Sequence, residues 1–157
     1  MKANNSKKSI RILGKILFVI YIIFLFYFLL LSDWYGRSGE MYEYHYNLEL
    51  FKEIKRFWIY REKLGMYAVI SNIGGNIAIF IPFGFILPVA SRYRSFLNTA
   101  FCTLGFSFCV EAFQLVAKVG SFDVDDLLLN TIGGMLGYII FILCNTVRRK
   151  RSAKRKR

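Results

Sequence analysis

Long unbroken apolar runs dominate this chain, with little of the helical spacing of a soluble core. Residues 16–31 are sixteen consecutive apolar side chains, extended by Ile12 and Leu13 around Gly14 and Lys15. Comparable stretches follow at 66–90, 96–117 and 127–147. Each approaches the roughly 20 residues needed to cross a hydrocarbon core about 30 Å thick. The pattern predicts an all-α integral membrane protein, a four-transmembrane-helix bundle with spans at about 12–32, 66–90, 96–117 and 127–147. The first run is too long for the apolar part of a signal peptide, and no small-x-small cleavage site follows at 32–37, so it reads as an anchor. The connection after it divides in two. Residues 35–46 are rich in Tyr and Gly and look irregular, whereas 47–64 read as one amphipathic helix. At about 100° per residue, Leu50, Phe51, Ile54, Phe57 and Trp58 share a face, with Lys52, Glu53, Arg56 and Lys63 opposite. Such a helix is expected in the outer headgroup region; packing on the outer mouth of the bundle is the alternative. Pro82 lacks the N–H that the Ala78 carbonyl needs, which predicts a kink or wide turn there.

Charge fixes the expected orientation. The formal net charge is +12. Fifteen of the 22 Lys and Arg lie in 1–15, 91–95 and 148–157, which fall on one side of a four-span topology. The long loop carries six cations and six acids and is neutral. Both termini are therefore expected in the cytosol. Residues 1–147 form the membrane domain, and 148–157 form a basic tail suited to anionic lipid. Nothing beside that tail supplies base-reading chemistry, so nucleic acid is not an expected partner. Cys102, Cys109 and Cys144 fall inside spans without metal-ligand spacing and read as small apolar packing residues. His45 stands alone and is assigned no role.

The chemistry lies in the polar residues within the spans. Thr103, Ser107, Glu111 and Gln114 are spaced 4, 4 and 3, which gathers them into one stripe within about 80°. Asp126, Asn130, Gly133 and Gly137 fall within about 60°, so one seam combines polar groups with close helix approach. Asn72 and Asn76 are also one turn apart. At 1.5 Å per residue, Asn76, Glu111 and Asn130 lie roughly 5–15 Å inside the outer ends of their spans. Asp123, Asp125 and Asp126 crown them. An intramembrane carboxylate costs a few kcal/mol and normally faces a cavity or a partner. Asn76, Ser107, Glu111, Gln114, Asp123, Asp126 and Asn130 are thus the candidate ligand-binding cluster. Against this stands a purely structural role, with Glu111 bonded to Asn76 and Asn130. Lys118 is placed to neutralise one of the acids. Asp123, Asp125 and Asp126 also offer hard oxygen ligands for Mg²⁺ or Ca²⁺, although three acids in one loop occur often without metal.

These residues resemble the VanZ-like family, whose founding member is associated with teicoplanin resistance. Asn76-x3-Phe80-Ile81-Pro82-Phe83-Gly84, then Phe108-x2-Glu111-x2-Gln114, then Phe122-Asp123-Val124-Asp125-Asp126 followed by Asn130-Thr131-Ile132-Gly133-Gly134 and Gly137, occur in the family's order. Two departures stand out. Asn47-Leu48-Glu49-Leu50-Phe51 lacks the Pro of the family's Asn-Leu-x-Pro-Phe segment, and where many members carry an Arg just before the Asp run, Lys118 and Ser121 are nearest here. The resemblance implies a multi-pass protein of the bacterial cell membrane linked to envelope glycopeptide response, and supplies no reaction. The expected function is non-enzymatic binding of a lipid-linked envelope precursor or lipoglycopeptide. The alternatives are an intramembrane Mg-dependent enzyme acting on a lipid phosphate and a structural or regulatory subunit. The cluster lacks a His or Cys nucleophile, and Ser107 and Ser121 have no general base at assured distance, which disfavours catalysis.

Overall fold

The computed structural model describes residues 2–31, 44–91 and 94–154. Its elements in chain order are α1 (Lys2–Leu31), β1 (Tyr46–Asn47), α2 (Lys52–Ile59), α3 (Arg61–Leu64), α4 (Met66–Val69), a π turn (Ile70–Gly74), α5 (Gly75–Ala90), α6 (Phe96–Val116), β2 (Phe122–Asp123) and α7 (Val124–Lys154). Three helical segments, Met66–Ala90, Phe96–Val116 and Val124–Lys154, are long and apolar enough to cross a membrane. The described apolar stretch of α1, Ile12–Phe28, is shorter. The protein is therefore an all-α, multi-span membrane protein with three long apolar helices and the additional helix α1. The loop reading for 35–46 falls mostly outside the described residues.

Helix α5 is the hub. On one side it packs against α7 almost backbone to backbone. A side chain at Gly133 would collide with the Ile77 carbonyl, one at Gly137 with the Ile81 carbonyl, and one at Gly84 with the Gly134 carbonyl. Gly134 in turn admits the Thr103 side chain of α6. The small-residue face read from 133 and 137 is thus the seam with α5, and Gly134 extends it towards α6. In lipid such close approach supplies dispersion contacts where water-driven association is absent. On its other side α5 meets α1 and α6 through an apolar core of Leu25, Phe80, Phe83, Leu87 and Val110, flanked by Phe18, Ile22 and Phe106.

Several boundaries differ from the sequence reading. α7 starts at Val124, so Asp125 and Asp126 sit in its first turn rather than in a loop. Negative charge there complements the positive end of the helix dipole. The helix also runs on through the basic residues to Lys154. Residues 47–64 are not one helix: Asn47 is in a strand, and Tyr60 separates α2 from α3. The wide turn falls at Ile70–Gly74, upstream of Pro82, and α5 continues through both Pro82 and Pro88. One residue beyond the Ala78 carbonyl that Pro82 leaves unserved, the Tyr21 hydroxyl of the neighbouring helix donates to the Ile79 carbonyl. Cys102, Cys109 and Cys144 are exposed free thiols, not packing residues. They lie on the outward flanks of α6 and α7, where a small apolar side chain can face lipid.

Candidate functional site

The site is built where three chain segments meet at one end of the bundle. β1 and β2 pair in parallel there, with Tyr46 opposite Phe122 and Asn47 opposite Asp123. The Phe122 N–H donates to the His45 carbonyl at 3.1 Å. This two-residue bridge ties the segment before α2 to the α6–α7 connection, and we call it the clasp.

Asp125 provides the strongest anchor of the clasp. It is fully buried. Its Oδ1 accepts from the Phe51 N–H, and its Oδ2 from the N–H groups of Glu53 at 2.8 Å and Ile54 at 3.2 Å. Those are first-turn donors of α2 that have no partner within the helix. α2 thus receives its N-terminal cap from a carboxylate more than 70 residues away, while its own capping residue, Phe51, has φ 66° and no side-chain cap bond. Left-handed backbone at a bulky residue is strained, and the three bonds to Asp125 hold it there. Asp123 completes the clasp. Its Oδ1 accepts from the Asp125 N–H at 2.8 Å and from Asn47 Nδ2 at 3.0 Å. Asn47 also closes a local turn by accepting from the Glu49 N–H at 3.1 Å.

Beneath the clasp lie the polar residues of the spans. The α6 stripe is buried along its whole length: Thr99, Thr103, Ser107, Glu111 and Gln114 are all inside. Thr99 and Thr103 satisfy their hydroxyls on carbonyls one turn back, those of Ser95 and Thr99. Glu111 Oε2 accepts from the Asp123 N–H at 3.2 Å, linking the stripe to the clasp. Asn76 of α5 donates to Asp126 Oδ1. Asn130 Nδ2 donates to Ser107 Oγ at 2.8 Å. The structure therefore brings Asn76, Ser107, Glu111, Asp123, Asp126 and Asn130 into contacts that join α5, α6, α7 and β2. Gln114 is buried on the same stripe, and its backbone carbonyl accepts from the Val119 N–H at 3.1 Å. Lys118 places its ammonium 4.8 Å from the centre of the Tyr44 ring.

One polar atom of this cluster stands out. Asn130 is 2% exposed, and among the described residues its Oδ1 has no hydrogen-bond partner. An unpaired buried polar atom costs about 1–3 kcal/mol.

The three aspartates address different partners: the Asn47 side chain, the α2 backbone and Asn76. Among the described residues, no group of three His, Cys, Asp or Glu side chains is arranged to hold a metal ion. Burial pushes the Asp123 carboxyl above the usual range, against the lowering effect of the Asp125 N–H and the Asn47 amide. Burial likewise raises Glu53, with the Arg56 guanidinium 2.6 Å away pulling it back.

Sequence reasoning missed Asn47 and Phe51 as parts of this region. The available signal was the Asn-Leu-x-x-Phe segment itself, since Asn47 and Phe51 are the residues that meet Asp123 and Asp125.

Comparison with known proteins agrees with the motifs. Over 70 residues the chain is 37% identical to Protein VanZ of Enterococcus faecium, covering 45% of this chain and 44% of that protein. The match thus spans less than half of that relative's length. No solved structure matches the chain. The profile of the family described as VanZ/LLP1 matches residues 18–145, most of the chain. The protein belongs to the VanZ/LLP1 family.

Proposed function

We propose that this protein is a four-span component of the bacterial cell membrane, with both termini in the cytosol. Its clasp end faces outward and binds a lipid-linked envelope precursor or a lipoglycopeptide such as teicoplanin, without catalysing a reaction. The supporting observation is the convergence of buried polar side chains from three helices beneath the clasp, including the unpartnered Asn130 oxygen. Intramembrane polar groups are expensive, and their concentration at one depth points to a polar guest. Glu111, Gln114, Asp126 and Asn130 would contact that guest, Asn76 would hold Asp126, and Asp123 would position Glu111.

The orientation follows from the basic residues at 1–15, 91–95 and 148–157, which share one side only in a four-span arrangement. α2 then lies in the outer headgroup region. None of its residues is buried, Trp58 is 59% exposed, and the Asp125 cap holds its start at the end of α7. The basic C-terminal tail lies against anionic lipid of the inner leaflet.

A structural reading also has support, because Asn76 with Asp126 and Asn130 with Ser107 satisfy one another between helices. Glu111→Gln separates the two. Wild type and Glu111→Gln would be expressed in a glycopeptide-susceptible Gram-positive host at equal membrane abundance. Binding through the carboxylate predicts that wild type lowers teicoplanin susceptibility and the Gln variant does not. Equal protection by both would leave the structural reading.

A further inference from the structure

A groove of about 480 Å³ lies between α1 and α5, away from the polar cluster. Tyr21, Phe24 and Phe28 form one wall, and Ser71, Gly75, Ala78, Ile79 and Pro82 form the other. Its origin is visible in the sequence. Ser71, Gly75 and Ala78 are small residues one turn apart, beginning in the π turn and leading to Pro82, so that side of α5 has little to fill the space. The aromatic wall repeats at spacings of 3 and 4, one face of α1. The Tyr21 hydroxyl, bonded to the Ile79 carbonyl, pins the two walls together.

We propose that this groove is a binding site for one acyl chain of a membrane phospholipid. The volume falls within the roughly 300–1,000 Å³ of small-molecule sites. The lining disfavours a large polar guest. Its side-chain hydroxyls are those of Ser71 and Tyr21, the latter already donating, and the Ala78 carbonyl freed by Pro82 is the remaining acceptor, too few for the many hydroxyls of a sugar. The groove is also a recess in a surface that lipid already covers. Ile23 and Tyr27 on α1, and Tyr67 and Ile70 ahead of the groove on the α5 side, are large apolar residues left exposed, and both walls belong to the membrane-embedded part of the protein. Ala78 is exposed at the groove's lip, so the recess is open to that surface. Depth fits as well. Ser71 and Pro82 stand 5 and 16 residues beyond Met66, which at 1.5 Å per residue places the groove about 8–24 Å below that helix end, within a hydrocarbon core about 30 Å thick. A packed protein tolerates few voids larger than a water molecule, and a chain entering from the bilayer fills this one without moving either helix.

The test uses the full-length protein in nanodiscs of phosphatidylglycerol doped with a phosphatidylglycerol bearing a diazirine in mid-chain. After illumination, labelled peptides are quantified by mass spectrometry. Peptides carrying Phe24–Phe28 and Ser71–Pro82 should be labelled several-fold above the region of α6 around Phe101, a side chain more exposed than Phe24. Ala78→Trp fills the groove from its lip, outside the apolar core, and should reduce groove labelling several-fold while Phe101 labelling stays constant. Constant Phe101 labelling and an unchanged melting temperature show that this variant is folded. Even labelling of all lipid-facing helices, or groove labelling unchanged by Ala78→Trp, would overturn the proposal. Cross-links between two copies through the groove walls would assign the groove to a second copy and equally overturn it.

Discussion

Asp125→Ala removes the carboxylate that receives the Phe51, Glu53 and Ile54 N–H groups. A hydrogen bond to a charged group contributes about 1.5–3 kcal/mol, and an ordinary N-cap about 1 kcal/mol. Three donors sharing one carboxylate do not contribute independently, so the loss should be about 3–5 kcal/mol, comparable to stripping one partner from a buried charged pair. Asp125→Asn keeps one acceptor oxygen and turns the other position into a donor that faces N–H groups, at a cost of about 1–3 kcal/mol. Hydrogen exchange read by mass spectrometry in detergent tests this directly. At 1.4 kcal/mol per tenfold, exchange of the 51–54 amides through opening of α2 should quicken by about a hundredfold or more in the Ala variant. The Asn variant should lie between, and the amides of α6 should keep their protection. Unchanged exchange at 51–54 in Asp125→Ala would refute the capping argument.

Further outcomes follow from the packing and the charges. Gly84→Ala and Gly137→Ala drive a methyl into carbonyls of the facing helix and should each cost at least about 1–3 kcal/mol, the usual penalty of overpacking. Gly105→Ala meets nothing within 4 Å among the described residues and should leave the melting temperature in place; an equal loss at Gly105 would contradict the seam. The raised Asp123 carboxyl stabilises the fold fully below its unfolded value of about 3.9, and that contribution is lost as pH rises through the higher folded value. The melting temperature of wild type minus that of Asp123→Asn should therefore fall from pH 4 to pH 8, and a flat or rising difference would contradict the burial argument. Reporter fusions after Arg94 and Arg151 should read cytosolic and one within 36–46 external; an external Arg94 reporter would overturn the four-span orientation.

What could be read from the sequence is what helical periodicity encodes. The 4, 4, 3 spacing from Thr103 to Gln114 placed these residues on one face, and that face is buried. The spacing of Gly133 and Gly137 likewise located the α5–α7 seam. Contacts between distant segments were not legible. Nothing near Asp125 announces that its partners are backbone groups at 51–54, and three adjacent acids suggested a common task where the fold assigns three separate ones. The left-handed Phe51 depends on where that cap holds α2. Propensity would not place a Phe there. The wide turn was expected at Pro82 because proline is the obvious perturbation, yet α5 absorbs it next to a carbonyl that Tyr21 serves.

Binding at the polar cluster is the central claim, and a titration tests it most directly. Purified protein in nanodiscs would be titrated with teicoplanin, and in parallel with a lipid-linked cell-wall precursor, with binding followed by the rise in melting temperature expected when a ligand binds only the folded state. Wild type should show saturable binding of at least one of the two. Glu111→Gln retains an oxygen for the Asp123 N–H and should fold normally, yet bind that ligand at least about tenfold more weakly, a loss of about 1.4 kcal/mol. No binding of either by wild type, or equal binding by the Gln variant, would contradict the account.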